Sequence, residues 1–325
     1  MDNVFKILLT VGAVLIVVGL ILFTVVMSLN RWDFRKLGTM TLVTNEHAVT
    51  ENFSDILVET DTADIRFVRS DSRECKVVCY EPDKAGHRVS VEDGCLTVRL
   101  VDERAWYDHI GIHIGTPKLT VFLPESAYGQ LRVLGSTGDT ELPKDLSFEH
   151  IDITASTGDV KCFASAAEQL KIRLSTGDVR LEDLSAGSLD VTVSTGHITA
   201  SQIRCNGDTS IQVTTGKAFL RDMTCNALTS TGNTGDLVLE NVTAAQSFSI
   251  IRSTGDVTFK GCDAGELSVK TDTGDISGSL RSDKLFIAQT GTGHIHVPKT
   301  VTGGRCEMTT STGDIEITVA PSEAR

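Results

Sequence analysis

The sequence predicts an all-β protein. It reads as a parallel β-solenoid of about ten turns of 19–20 residues, with a β-rich N-terminal cap and one transmembrane helix ahead of it. Three observations carry this reading. A Thr-Gly pair recurs at near-constant spacing through the C-terminal two thirds of the chain. Apolar residues stand in columns at fixed offsets from each glycine. Near the N-terminus, a long run of residues carries no charge.

That run comes first in the chain. Ile7 to Asn30 reads ILLTVGAVLIVVGLILFTVVMSLN, 24 residues without a charge. As a helix it would be roughly 36 Å long, enough to cross a bilayer core of about 30 Å. It exceeds the apolar part of a cleaved signal peptide, about 7–15 residues, and no small-x-small cleavage site follows it. Trp32 and Phe34 suit the headgroup interface, and Arg31, Arg35 and Lys36 suit a membrane edge. Residues 1–30 are therefore expected to be an uncleaved single-span anchor, and residues 31–49 a juxtamembrane linker. Only Lys6 precedes the span, so the three following bases favour a cytoplasmic C-terminal part. Large domains, however, translocate with little regard to flanking charge.

The repeat comes next. Its glycines are Gly138, Gly158, Gly177, Gly196, Gly216, Gly235, Gly255, Gly274, Gly293 and Gly313, at gaps of 19 or 20, each preceded by Thr. Six copies end STGD or DTGD, at Asp139, Asp159, Asp178, Asp256, Asp275 and Asp314. The other four end at His197, Lys217, Asp236 and His294. Two residues after the glycine only Thr140 is polar, in a column that otherwise holds Val, Ile, Leu or Ala. Five before it stand Val133, Ile153, Ile172, Val191, Ile211, Ser230, Ile250, Val269, Ala288 and Met308. Alternation of period two on both sides of the turn is the strand signal. Parallel strands stacked at about 4.8 Å would make ten turns a rod of roughly 48 Å, stabilised by neighbour-on-neighbour burial. Glycine would supply the positive φ of the corner. The adjoining Asp and Ser would bond local backbone as Asx or ST turns. Residues 131–325 form this array.

Residues 50–130 read as a β-rich cap over the first solenoid edge. Asp61-Thr62-Ala63-Asp64 is a degenerate copy of the turn, with Ile56 and Val58 before it and Ile65 and Phe67 after it. Cys75–Tyr80 and Lys118–Leu123 read as strands, and Asp93-Gly94 as the turn of a hairpin. At the other end, Pro321, Glu323 and Arg325 discourage edge-to-edge pairing.

With its [ST]-T-G-[DH] turns, the half-repeat DTADIRF and the strand TVFLP, the chain resembles the bacterial putative-adhesin family of STGD-repeat β-solenoids, a domain of unknown function, in its membrane-anchored form. The resemblance covers about residues 50–320. It implies a β-solenoid placed outside the cell and no catalytic residues to carry over. Ser230, Arg252 and Gly278 depart from the apolar pattern.

Composition narrows the function classes. A net charge of −13 excludes a nucleic-acid partner, whose phosphates need a basic face. It also opposes electrostatic docking on anionic lipid. With aromatics at 5%, a sugar-binding cleft is not favoured. The Asp column is too sparse for a calcium cage of six or more oxygens, and Lys217 interrupts it. A general acid and base need convergent geometry, and the mixed column Asp178, His197, Lys217 and Asp236 lies on a convex corner. The threonine column is not a flat ice-binding rank, because the position three before the glycine varies too widely. No Cys-x-x-Cys pair supports a zinc framework, and stacked Cys205 and Cys225 are expected to be reduced core residues. Trp106, Tyr107, Asp108 and His109, with His113, read as a packed loop of the cap, the alternative being a surface for contacting a partner. No catalytic, cofactor-binding or metal residue is assigned. The expected function is a non-catalytic, single-pass, extracytoplasmic scaffold or adhesin-like binding protein of the cell envelope, with an unidentified protein or envelope partner. The alternative is a cytoplasm-facing scaffold or envelope-stress sensor component, and the third reading is a polysaccharide-active β-helix enzyme.

Overall fold

The computed structural model describes residues 3–29, 31–32, 41–72, 74–104, 115–125 and 127–319. Helix α1 (Asn3–Leu29) takes in the uncharged run from Ile7 to Leu29. Its large apolar side chains from Phe5 to Val26 are exposed, where a core helix would bury them. The stretch Phe5–Leu29 is long and apolar enough to cross a membrane.

The rest is a solenoid. Each turn contributes one strand before its glycine and one after it, and each set stacks into a parallel ladder. The threonine column records the register directly: Thr62, Thr137, Thr157, Thr176, Thr195, Thr215, Thr234, Thr254, Thr273, Thr312 and Thr292 pair in that order. Inward side chains from both ladders fill one continuous apolar core, in which Ile153, Ile172, Val191, Ile211 and Ile250 are wholly buried. Alternate residues point to solvent, as period two requires.

The order of that column differs from sequence order at both ends. The degenerate copy, between β2 (Asp55–Thr62) and β3 (Asp64–Arg69), is itself the first rung. It stacks on β8 (Ala127–Thr137) and β9 (Thr140–Leu142), and the intervening chain folds over it. On one side β7 (Lys118–Leu123) continues parallel to β3, and β4 (Cys75–Pro82) then reverses direction against β7. β1 (Leu42–Val49) reverses again against β4, so a strand occupies part of the stretch expected as linker. On the other side β6 (Cys95–Asp102) runs parallel to β2 and β5 (Ala85–Glu92) reverses against it, with Asp93-Gly94 at the hairpin turn. At the far end the Gly313 rung inserts between those of Gly274 and Gly293. The outermost rung is therefore Lys284–Thr292 with Ile295–His296 rather than the last in sequence.

The corner glycines have φ between +122° and +149°. All but Gly293, on the outermost rung, donate the N–H to the threonine carbonyl of the neighbouring rung, as from Gly158 to Thr176 and from Gly177 to Thr195. A second corner shows only in the structure. Asp183, Gln202, Asp222, Asn241 and Gly261, spaced 19 or 20 apart, all lie at φ of +50° to +60°. Asp and Asn tolerate that region better than other side chains, and Asn241 Nδ2 donates to Asp222 Oδ1 along the stack.

Candidate functional site

The most regular feature outside the core is the column after the glycines, and its hydrogen bonds explain its composition. Asp139 Oδ1 accepts from the backbone N–H of Asp159, Asp159 Oδ1 from that of Asp178, and Asp178 Oδ1 from that of His197, all within 2.8–2.9 Å. The expected local Asx turn is thus corrected. The corner turns its N–H along the rod axis, so the nearest acceptor belongs to the adjacent rung. His197 continues the series by offering Nδ1 to the N–H of Lys217 at 3.1 Å. Lys217 has no acceptor to offer, and the series breaks there; its Nζ instead pairs with Asp236 Oδ2 at 2.8 Å. The series resumes from Asp236 through Asp256, Asp275 and Asp314, and ends on His294. A terminal residue donates only, so His is tolerated there.

These bonds engage one carboxylate oxygen on each acidic residue of the column. Lys217 draws the Asp236 pKa below the ordinary 3.8, and the His294 N–H does the same for Asp314. The predicted cluster Asp178, His197, Lys217 and Asp236 does lie together on successive rungs. All four face solvent on a corner, and each is tied to its neighbour in the column. The geometry serves stacking.

Among the departures from the apolar pattern, Arg252 and Ser230 explain each other. Arg252 is 1% exposed and donates from Nη2 to Ser230 Oγ at 2.8 Å. It reaches the serine across Gly232, where a Cβ would collide with the guanidinium. Burial lowers the Arg252 pKa to about 10, and its Nε and Nη1 have no protein partner. Gly278 sits at φ +126° with its Cα against the Phe259 backbone, a close approach that a side chain would block.

The outermost rung is the main exposed apolar surface of the solenoid. Leu285, Ile287, Ile295 and Val301 are exposed, and Phe286, Ala288 and Val297 only partly covered. Among the described residues its strand Lys284–Thr292 pairs on one side only, with Gly304–Thr312. From Lys284 to Cys306 the chain has no Asp or Glu, although the whole carries a charge of −13. Lys284 is buried and paired with Asp263 at 2.7 Å.

A different cluster lies inside the cap, where β4 turns into β5. Glu81 is 1% exposed and His87 6%. His87 Nδ1 meets Glu81 Oε2 at 2.6 Å, and the His87 backbone N–H donates to the same oxygen at 2.8 Å. Asn45 Nδ2 on β1 donates to Glu81 Oε1 at 2.7 Å, and His87 Nε2 lies 3.0 Å from Thr60 Oγ1 on β2. Cys79, wholly buried, points the same way as Glu81 from two residues earlier on β4. Its Sγ lies within 4.8 Å of a donor atom on each of Glu81 and His87. Burial, reinforced by the Glu81 charge, pushes the Cys79 pKa up to about 12. A cavity of about 300 Å³, lined by residues that include Asp61, Pro82, His87, Leu100 and Pro117, opens beside the cluster. Sequence reasoning missed this group. Cys79 and Glu81 on one strand face were legible; His87 joins them only because the chain reverses direction in the cap.

All eight cysteines, Cys205 and Cys225 included, are free thiols, and only Cys95 is not buried. The segment Trp106–His109 with His113 lies outside the described residues.

No curated protein matches this chain. Among solved structures it is similar to a putative adhesin from Parabacteroides merdae, at 11% identity and a TM-score of 0.48, over 86% of this chain and 98% of that one. A putative adhesin from Parabacteroides distasonis aligns at 14% identity and a TM-score of 0.48, over 86% and 98%. A structure described as a putative lipid binding protein, also from Parabacteroides distasonis, aligns at 13% identity and a TM-score of 0.46, over 85% and 96%. The family model does decide: Toastrack DUF4097 matches residues 53–222 and 219–325, almost the whole solenoid and its cap, and the chain belongs to that family.

Proposed function

We propose that this protein is a membrane-anchored, non-catalytic binding scaffold of the cell envelope, with helix α1 as an uncleaved anchor and the solenoid on the outer side. The observation that carries the binding role is the outermost rung. It combines an unpaired strand edge with exposed Leu285, Ile287 and Ile295, while the opposite end is covered by a strand cap. An exposed edge of this kind templates another strand. Because the rung has no carboxylate in an otherwise acidic chain, the fitting occupant is an extended segment of a partner protein that carries acidic side chains. The ladder carboxylates support a structural role for the column, since each accepting Oδ1 is engaged by a backbone N–H.

The test is cross-linking of intact cells with a membrane-impermeant reagent. Wild-type protein is expected to give a discrete adduct that Leu285→Asp/Ile287→Asp loses while melting normally. An unchanged adduct in that variant would refute the contact surface, and reaction only after lysis would refute the outer location. One observation favours a second reading, a cytoplasm-facing scaffold or envelope-stress sensor component. Lys6 alone precedes the span, and Arg31, Arg35 and Lys36 follow it.

A further inference from the structure

We infer that Cys79, Glu81 and His87 form a site for a divalent transition-metal ion, zinc(II) by preference, that ties β4 to β5 at the corner of the cap. The donors are a thiol, a carboxylate and an imidazole, the mixed set that suits zinc. One ligand atom on each of Cys79, Glu81 and His87 lies within 4.8 Å of the other two, all three residues are buried, and Nδ1 and Oε2 are 2.6 Å apart.

The surroundings distinguish this group from an ordinary buried pair. Metal-binding side chains are held by outer partners on their other polar atoms. Here Glu81 Oε1 is fixed by Asn45 and His87 Nε2 by Thr60, leaving Oε2 and Nδ1 directed at each other. The thiol of Cys79 stands buried beside the Glu81 carboxylate, so a bound cation would be faced by a thiolate and a carboxylate together. A fourth ligand can be water, from the adjacent cavity that His87 helps to line.

Charge balances through the uptake. Zinc binds a cysteine as its thiolate and an imidazole through a deprotonated ring nitrogen, so protons leave as the ion enters. The ion carries +2, the thiolate and carboxylate −1 each, and the imidazole is neutral. The loaded site is therefore neutral, as its burial requires.

The test is titration of the reduced full-length protein in detergent micelles with cobalt(II), then displacement by zinc(II). Expected is one cobalt per chain, with the near-ultraviolet thiolate-to-cobalt band, bleached by one equivalent of zinc. Cys79→Ser should lose that band, and Asn45→Ala, which touches no ligand atom of the set, should weaken binding about 10–100-fold. Cys95→Ser, the control for the half-buried thiol, should change neither. Zinc should also raise the melting temperature of wild type and not that of Cys79→Ser. Absence of saturable, equimolar uptake by wild type would overturn the inference, even if a variant failed to fold. So would a thiolate band that survives Cys79→Ser.

Discussion

Replacing Gly177 by alanine tests the stacking geometry at one atom. Gly177 has φ +135°, and a Cβ there would lie 2.8 Å from the Gly158 carbonyl carbon and closer still to its oxygen. That oxygen belongs to a backbone fixed by its own ladder, so it cannot swing aside as a side-chain tip would. Backbone strain in this region costs about 1–3 kcal/mol, and forcing rungs apart adds about 1–3 kcal/mol, as for overpacking. The expected loss is about 4 kcal/mol, shared by the flanking rungs because they use the same core. Gly135 is the internal control. It lacks the positive φ, and a Cβ there meets nothing within 4 Å. Gly135→Ala should therefore leave stability unchanged or raise it by about 0.4–1 kcal/mol, by restricting the unfolded chain. Urea and thermal melts of both variants decide. A Gly177→Ala protein within about 0.5 kcal/mol of wild type, the range of ordinary surface changes, would refute the argument.

Three further outcomes are expected. Asp178→Asn keeps an Oδ1 acceptor for the His197 N–H and should cost at most about 0.5 kcal/mol, whereas Asp178→Ala should cost about 1 kcal/mol; equal costs would show that the bond contributes nothing. In native buffer, without added metal, about one thiol per chain, Cys95, should react quickly with a thiol reagent, because burial pushes Cys75, Cys162, Cys225 and Cys306 up to about 12. All eight should react in denaturant, and several fast native thiols would contradict the core packing. Asp236 and Asp314 have pKa values below the ordinary 3.8, so their stabilisation is present above that value and lost as pH falls through the lower folded values. The urea midpoint should therefore drop below about pH 4, less steeply in Lys217→Met, and an identical acid profile in that variant would contradict the pairing.

The solenoid was legible because its most demanding position admits little but glycine. A corner at φ near +135° selects one residue type, so the column stands out at every turn. The second corner was not legible for the converse reason. At φ near +55° it accepts Asp183, Gln202, Asp222, Asn241 and Gly261, and no single letter repeats. The acceptor role of Asp was visible but its partner was not, since a local and an inter-rung bond need the same residue. The insertion of the Gly313 rung before that of Gly293 leaves no trace in spacing, because both rungs match the same columns. The cap cluster was hidden by topology: β4 and β5 carry no repeat, and only their reversal brings His87 onto Glu81.

The proposed placement of the solenoid at the cell surface is tested most directly by protease treatment of intact cells, read with an antibody to the solenoid. The solenoid signal is expected to be trimmed from whole cells, while a tag placed before Lys6 stays protected until lysis. A solenoid that survives on intact cells, in a protein digested at the same protease dose after lysis, would contradict it and support the cytoplasm-facing reading.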